Sequence, residues 1–430
     1  MTLPVRPYAP KCRVVFYTDR HGRLDVTDQD LFSLTTRRGV GEPTGKWDLL
    51  LTGRKIAGES FLTHIQPMDY VEISLARIPS RGGLPIVMRG FVDNVSESTS
   101  SGERRVSVNG RDFGKLLLKF QVYYLDEIDP TLSLIQQAGL EARFQIPAGI
   151  LTPSDFVRLV NQQIITPNLR ALRGGQQWIP ALNLDVSVPD RFAVNGMAVQ
   201  PFTGSVWNLV TQFASKPWIE AFITDRENGP TLVYRFAPLR SYAGGALASY
   251  APSVDITPIT PADIESMSVG RSDNEVYSYF FTYPQYNLLD RTDFKAEGID
   301  LARNPYLDAE KVARYGFLPL EISTPLIPSL AADPADVAAT ASDSTLELAA
   351  ELNDWLRASN QQNHLFLNGS IAVKGGGGIQ PGTYLQIADL DRLFYIAGVT
   401  HTFSIAEGRV KTNLDVVRGS PLPRASVRGF

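Results

Sequence analysis

The chain is short of the residue types on which most site chemistry depends. It has one cysteine, Cys12, in 430 residues, which excludes an intramolecular disulfide framework and any cysteine-rich zinc or iron–sulfur centre, and which suits folding in the cytosol. Its four histidines, His21, His64, His364 and His401, lie far apart, and nothing in their spacing argues for a shared metal. No unbroken apolar run reaches the roughly 18 residues that span a bilayer, so membrane insertion is not expected. The start, MTLPVRPYAPKCRVV, lacks the apolar stretch of a signal peptide, so export by that route is not expected either. Neither sign of charge dominates: 41 Lys and Arg stand against 45 Asp and Glu, a net charge of −4, with the basic residues scattered. A concentrated surface for gripping phosphates is therefore not expected, nor is sequence-specific nucleic-acid binding.

Catalytic signatures are equally scarce. There is no G-x-S-x-G elbow and no H-E-x-x-H helix, which removes the usual marks of esterases and zincins. The stretch GVGEPTGKW, residues 39–47, resembles a phosphate-binding loop but puts Val40 and Trp47 where that loop needs Gly and Ser or Thr, so it reads as a plain loop. KGGGGIQPG, residues 374–382, has no following helix to offer an anion site and reads as a turn before a strand. Glu220 is the one acid to watch, because Trp218, Ile219, Ala221 and Phe222 surround it; strand alternation points it outward, onto a polar face. Trp47 and Tyr384 are the candidates for an exposed sugar-binding platform and fit core positions equally well. We assign no catalytic, cofactor-binding or metal-ligating residue.

What the chain does contain is strands. With 43 % hydrophobic and 20 % charged residues it is an ordinary globular sequence, and its length suggests about three domains. RVVFYT, WDLLLTG, DYVEISLARI, IVMRGFVDNV and RRVSVNG follow one another through turns such as SRGG and SESTSSG, the pattern of a small barrel or sandwich. The period turns helical at GRDFGKLLLKF, with Phe113, Leu116, Leu117 and Phe120 on one face. We place a first tube-like barrel with its exit helix at residues 1–118 and a mixed α/β module at 119–260. In that module GSVWNLVTQFA forms a helix, followed by WIEAFITD and TLVYRFA as strands joined through RENG. Residues 261–325 hold strands leading into a second barrel plus an insertion, and 326–430 a linker, a capped helix and the second barrel itself. PLIPSLAADPADVAATASDS reads as an extended connection, ending at a helix that starts with a capping box of Ser344 and Glu347 and buries Leu348, Ala349, Leu352, Trp355 and Leu356. The fold class is β-rich α+β: two tube-like antiparallel β-barrels with a mixed α/β module between them.

The two barrels look like copies. Residues 91–109, FVDNVSESTSSGERRVSVN, lie on 395–413, YIAGVTHTFSIAEGRVKTN, without a gap, matching Val95 with Val399, Ser100 with Ser404, Glu103 with Glu407, Arg105 with Arg409, Val106 with Val410 and Asn109 with Asn413. Ordinary composition gives about one identity over such a span. Upstream, PMDYVEI at 67–73 matches PGTYLQI at 381–387. In the later hairpin Val410, Thr412, Leu414 and Val416 take one face and Arg409, Lys411, Asn413 and Asp415 the other, so this strand is half-buried, and His401 reads as a polar edge residue. Three chains, each with two such barrels, would close into a pseudo-sixfold ring, which lets a trimer stack on a hexamer without mismatch.

PMDYVEI followed by MRGFVDNV, VSVNGRD running into a helix, the Tyr315-Gly316 pair of VARYGF, and PGTYLQI through NLDVVRG together resemble the baseplate-hub, or tail-hub, proteins of long-tailed bacteriophages and the related trunk of type VI secretion spikes. The resemblance covers about half the chain. It implies a homotrimeric virion protein at the tail tip or baseplate, assembled in the host cytoplasm, joining the hexameric tail-tube ring to a central spike or needle. It further implies contact with tape-measure and baseplate wedge proteins, DNA only as cargo in the channel at ejection, and no cofactor. The loop at 39–47 is then a candidate contact with the adjacent ring, and a mildly acidic chain suits a channel in which DNA slides. That family favours Pro-Gly-Asp at the first barrel's turn, where this chain has Pro67-Met68-Asp69; Met adopts positive φ poorly, so the turn is expected to differ. No lysozyme-like segment is evident. The alternative reading is a phage-associated glycan hydrolase or a carbohydrate-binding protein on a β-rich fold.

Overall fold

The computed structural model describes residues 11–422 except 19–21, 27–29, 57, 77–83, 101, 125–149, 176, 196–201, 285–305 and 329–336. The calls on His21 and on the SRGG turn lie outside the described residues. The architecture is β-rich with few helices, built around a 13-stranded, mostly antiparallel sheet. Its first part comprises β1 (Lys11–Thr18), β2 (Gly22–Val26), β3 (Leu31–Gly39), β4 (Lys46–Thr52), β5 (Tyr70–Ala76), β6 (Ile86–Ser100) and β7 (Glu103–Asp112). β8 (Asn183–Ser187), β9 (Ile219–Arg226) and β10 (Gly229–Phe236) form a separate three-stranded sheet. The large sheet resumes with β11 (Ile256–Ile259), β12 (Ile264–Gly270), β13 (Leu367–Lys374), β14 (Tyr384–Ile387), β15 (Arg392–Ser404) and β16 (Arg409–Pro421). The order across it is β12-β13-β16-β15-β3-β4-β7-β6-β5-β1-β2, with β14 beside β15 and β11.

The helical segments are short except for two: the unbroken run 153–175, whose middle, Asn161–Ile165, is π-helical, and the one at Val337–Asn360. α1 (Gly114–Lys119) buries Leu116 and Leu117 as its spacing requires. α2 (Val206–Thr211) starts at Ser205, whose hydroxyl accepts from the Asn208 amide at 3.2 Å, and buries Trp207 and Val210. α3 (Val337–Asn360) corrects the linker reading: it begins seven residues before Ser344, which lies within the helix and does not start it. The alanine-rich VAATAS stretch supports helix well enough to extend it backwards. Its buried stripe is as read from the spacing, with Leu348, Leu352, Trp355 and Leu356 buried and Ala349 half-buried. Among the described residues four apolar clusters result: one under β1 to β7 around Trp47 and Phe16, one under β13 to β16 around Phe394 and Leu414, a small one of Tyr384, Leu393 and Tyr395, and the largest in the α/β module with α3.

The duplication is visible in the backbone. β3-β4-β7-β6 and β12-β13-β16-β15 have the same neighbour order and the same chain order. One row of paired residues runs Leu34, Leu49, Val108, Val95 in the first copy and Met267, Ile371, Leu414, Val399 in the second. The pairing of β6 slips between Val92 and Asn94, and that of β15 between Ile396 and Gly398, positions equivalent in the repeat. Tyr70 pairs with Phe91 as Tyr384 pairs with Tyr395. The gapless alignment needs one correction. Ser100 pairs with Glu103, but Ser404 pairs with Arg409, so the second hairpin's loop is two residues longer and its return strand is displaced by two. Two places preserve strand alternation, so each displaced residue keeps its face.

The Met68 turn is a second correction, because it does not differ from its counterpart. Met68 has φ 77 and Gly382, its equivalent, φ 78. The Met68 amide donates to the Val92 carbonyl at 2.9 Å and the Gly382 amide to that of Ile396 at 2.8 Å. The bracing hydrogen bonds hold methionine in the left-handed region that its side chain disfavours. KGGGGIQPG is the expected turn before a strand, with Gly375 at φ 77 and Gly376 at φ 91 ahead of β14.

Candidate functional site

Two joints hold the described parts of the chain together. The first joins the two copies to each other. β15 pairs with β14 through its first residues, and its later half, Gly398 to Ser404, pairs with β3 from Gly39 to Ser33. His401 is therefore interior and not on an edge, correcting the sequence reading: β3 and β16 flank it, and its Nδ1 lies 2.9 Å from the Thr412 hydroxyl. Phe403 and Val410 of the second copy enter the first copy's core.

The second joint fastens the α/β module to both copies through the two ends of β9. At one end Asp225 accepts from Arg38 Nη2 at 2.8 Å, from the Arg89 backbone amide at 2.9 Å and from Arg89 Nη1 at 3.3 Å. Arg38 also reaches Asp112 at 3.1 Å, and Asp112 accepts from Thr44 Oγ1 and the Gly114 amide at 2.8 and 2.9 Å. Both acids are fully buried, and burial pushes the Asp112 carboxyl above its ordinary range against the pull of Arg38. At the other end Glu220 pairs with Arg235 at 3.1 Å and accepts from the Tyr395 hydroxyl at 2.5 Å, while Arg235 donates to the Gly382 carbonyl at 2.5 Å. Glu220 is thus a largely buried anchor and not the outward-facing acid that alternation suggested; burial pushes its carboxyl up, and Arg235 and Tyr395 oppose that shift. Alternation assigned the face correctly for a free strand but not what covers it, which is the second copy. Between the two anchors lies an open cleft of about 1250 Å³ lined by Arg89, Phe222, Arg235, Asp255 and Gln380 among others.

No family model and no curated protein matches the chain. Solved structures do match over nearly its whole length. The tail protein from Neisseria meningitidis MC58 aligns over 96 % of this chain and 97 % of its own, with a TM-score of 0.51 at 16 % identity. The prophage MuSo2 43 kDa tail protein from Shewanella oneidensis aligns over 94 % and 98 %, with a TM-score of 0.50 at 15 % identity. The chain has the tail-protein fold. The resemblance carried by PMDYVEI, VSVNGRD and NLDVVRG thus agrees with the three-dimensional likeness.

Within this tail-protein fold the remaining sequence candidates are structural. Trp47 is fully buried and meets Phe16 edge-on at 6.4 Å, and Tyr384 is buried with its hydroxyl donating to the Pro238 carbonyl at 3.0 Å, so neither offers a sugar platform. His64 is buried with Nε2 3.0 Å from the Ile56 carbonyl. His364 sits beside Tyr315, its ring nitrogens held toward the neutral form by burial and by Lys311 and Arg314. Among the described residues no three His, Cys, Asp or Glu side chains group as metal ligands, and no helix is long and apolar enough to cross a membrane. Of residues 39–47, Gly39 ends β3, 40–45 form the turn, with Gly41 at φ 77, and Lys46 and Trp47 begin β4. The Arg38, Arg89, Asp112 and Asp225 cluster was missed. Its only trace in the sequence is charge at the ends of apolar strands, the usual place for solvated side chains.

Burial, aided by the nearby Arg38 charge, lowers the His401 pKa to about 4. Between pH 6.5 and 4 the unfolded chain takes up a proton that the folded chain refuses, so stability is lost as the pH falls through that window, by about 3 kcal/mol in all. His401→Gln is expected to flatten this part of the profile. Equilibrium unfolding of both proteins from pH 7 to 4 checks it: parallel profiles would show that His401 titrates normally.

Proposed function

We propose that this chain is the structural hub of a bacteriophage tail: a homotrimer that adapts threefold to sixfold symmetry between tail-tube ring and central spike and encloses the DNA channel. The observation that carries this reading is the repeated strand unit, joined in one sheet at a β15–β3 joint. Three chains supply six such units, and closed cyclic assembly is the common solution for identical subunits. Each unit serves as a tube-like barrel, the α/β module anchored by Asp225 and Glu220 braces them, and the turn at 39–47 faces a neighbouring ring. Tape-measure and wedge proteins are further partners, the site of action is the virion tail tip, and DNA is cargo. The role is assembly and not catalysis: Glu220, the acid on which a hydrolase reading rested, is committed to Arg235 and Tyr395.

Light scattering on the purified protein, with negative-stain images of the same sample, tests the proposal. The expected result is three times the 47.4 kDa chain mass and a ring with a central hole and six lobes. A compact monomer at every concentration would refute it.

A further inference from the structure

The internal joint has a missing counterpart. In the second copy the later half of β15 is covered by β3 of the first. Among the described residues, the equivalent half of the first copy's hairpin, Asn94 to Ser100 of β6, pairs only with β7, since β5 ends its pairing at Phe91. It is also the most exposed part of that strand, with Ser98, Thr99 and Ser100 all exposed. At the other end of the sheet β12, which corresponds to β3, is a terminal strand that among the described residues pairs with β13 alone. It exposes Ser266, Met267 and Ser268, Met267 to 42 %. Six strands separate these two open edges within one chain. Each is the half that the other lacks.

We infer that β12 of one chain pairs antiparallel with the later half of β6 of the next, repeating between chains the joint that β3 and β15 make within one. This rests on the trimer reading above and specifies its contact. The repeat fixes the register. Val95 corresponds to Val399 and Leu34 to Met267 along the shared row of paired residues. The internal joint sets Phe403 against Leu34 and Ser404 against Ser33. Carried across, Thr99 stands opposite Met267, Ser100 opposite Ser266, Ser98 opposite Ser268, Glu97 opposite Val269 and Ser96 opposite Gly270. The next step sets Val95 against Arg271, as Val399 stands against Arg38 inside the chain. No like charges meet along this ladder, and the serines give small, polar cross-strand pairs that leave both edges soluble before assembly. Open strand edges of matching length and register are ready sites for such pairing. The exposed Met267 then takes the place that buried Leu34 holds in the internal joint.

Thr99→Cys and Met267→Cys in one chain test it. The protein is first sized under reducing conditions by light scattering, then oxidised with copper phenanthroline and run on a non-reducing gel. The expected result is a trimer that converts to covalent dimer and covalent trimer, with at least tenfold less product for the displaced pair Thr99→Cys and Val269→Cys. A trimer that yields no cross-link, or cross-links both pairs equally, overturns this joint and leaves the trimer standing. A protein that stays monomeric by light scattering overturns both.

Discussion

Asp225→Ala is expected to destabilise the folded chain by about 3–5 kcal/mol, the cost of stranding buried charge. Asp225 holds two guanidiniums, Arg38 and Arg89, and also accepts the Arg89 backbone amide, with its own side chain almost wholly buried. Alanine leaves Arg89 with the Arg226 carbonyl at 3.2 Å and Glu72 at 3.6 Å and Arg38 with Asp112 alone, and it leaves the Arg89 amide without that acceptor in a buried joint. Asp225→Asn preserves shape and one acceptor but not the charge, so its loss is expected to be smaller. Replacing Arg38, Arg89 and Asp225 together by apolar residues of similar volume is expected to recover only part of the stability, because the desolvation of three charged groups disappears with their attraction while Asp112 loses Arg38 and stays buried. Urea denaturation of the four proteins measures this. A loss below about 1 kcal/mol for Asp225→Ala would mean that water enters the joint and screens the arginines.

Trp218→Ala is expected to cost a similar amount, about 3–5 kcal/mol, for a different reason. Trp218 is fully buried, lies 6.4 Å from the Trp355 ring, and donates its indole N–H to the Leu352 carbonyl at 3.2 Å. Alanine removes the apolar contact between the start of β9 and α3, and it takes a hydrogen bond from a helix carbonyl. Trp218→Phe keeps most of the volume and is expected to lose less than half as much. The same measurement separates them, and hydrogen exchange should show faster opening of residues 348–360 in the alanine variant. Unchanged protection there would show that α3 is held by other contacts.

These two sites show where a sequence reading stops. Trp218 was legible as part of the apolar strand around Glu220, and the stripe Leu348, Leu352, Trp355 and Leu356 from its spacing. Periodicity reports which side of an element is apolar, and that is decided locally. The start of α3 was misread because a local capping box at Ser344 competed with helix-favouring alanines upstream, and the structure follows the alanines. The Met68 turn was misread because propensity weighed more in the sequence than the hydrogen bonds that brace it, and those bonds come from β6, far along the chain.

His401 was read as an edge residue and Glu220 as an outward-facing acid, and both were given the wrong surroundings. Both sit where a partner distant in sequence closes over them: β3 beside His401, and Tyr395 with Arg235 over Glu220. The sequence by itself determined the β-rich composition of the fold and the two related hairpins, because alternation and turn chemistry are properties of neighbouring residues. Only the tertiary structure decided that the two copies share one sheet, that Asp225 and Glu220 fasten the module between them, and that two complementary edges lack a partner among the described residues. Strand partners across hundreds of residues are chosen by the register and burial of the whole sheet, which no local stretch encodes.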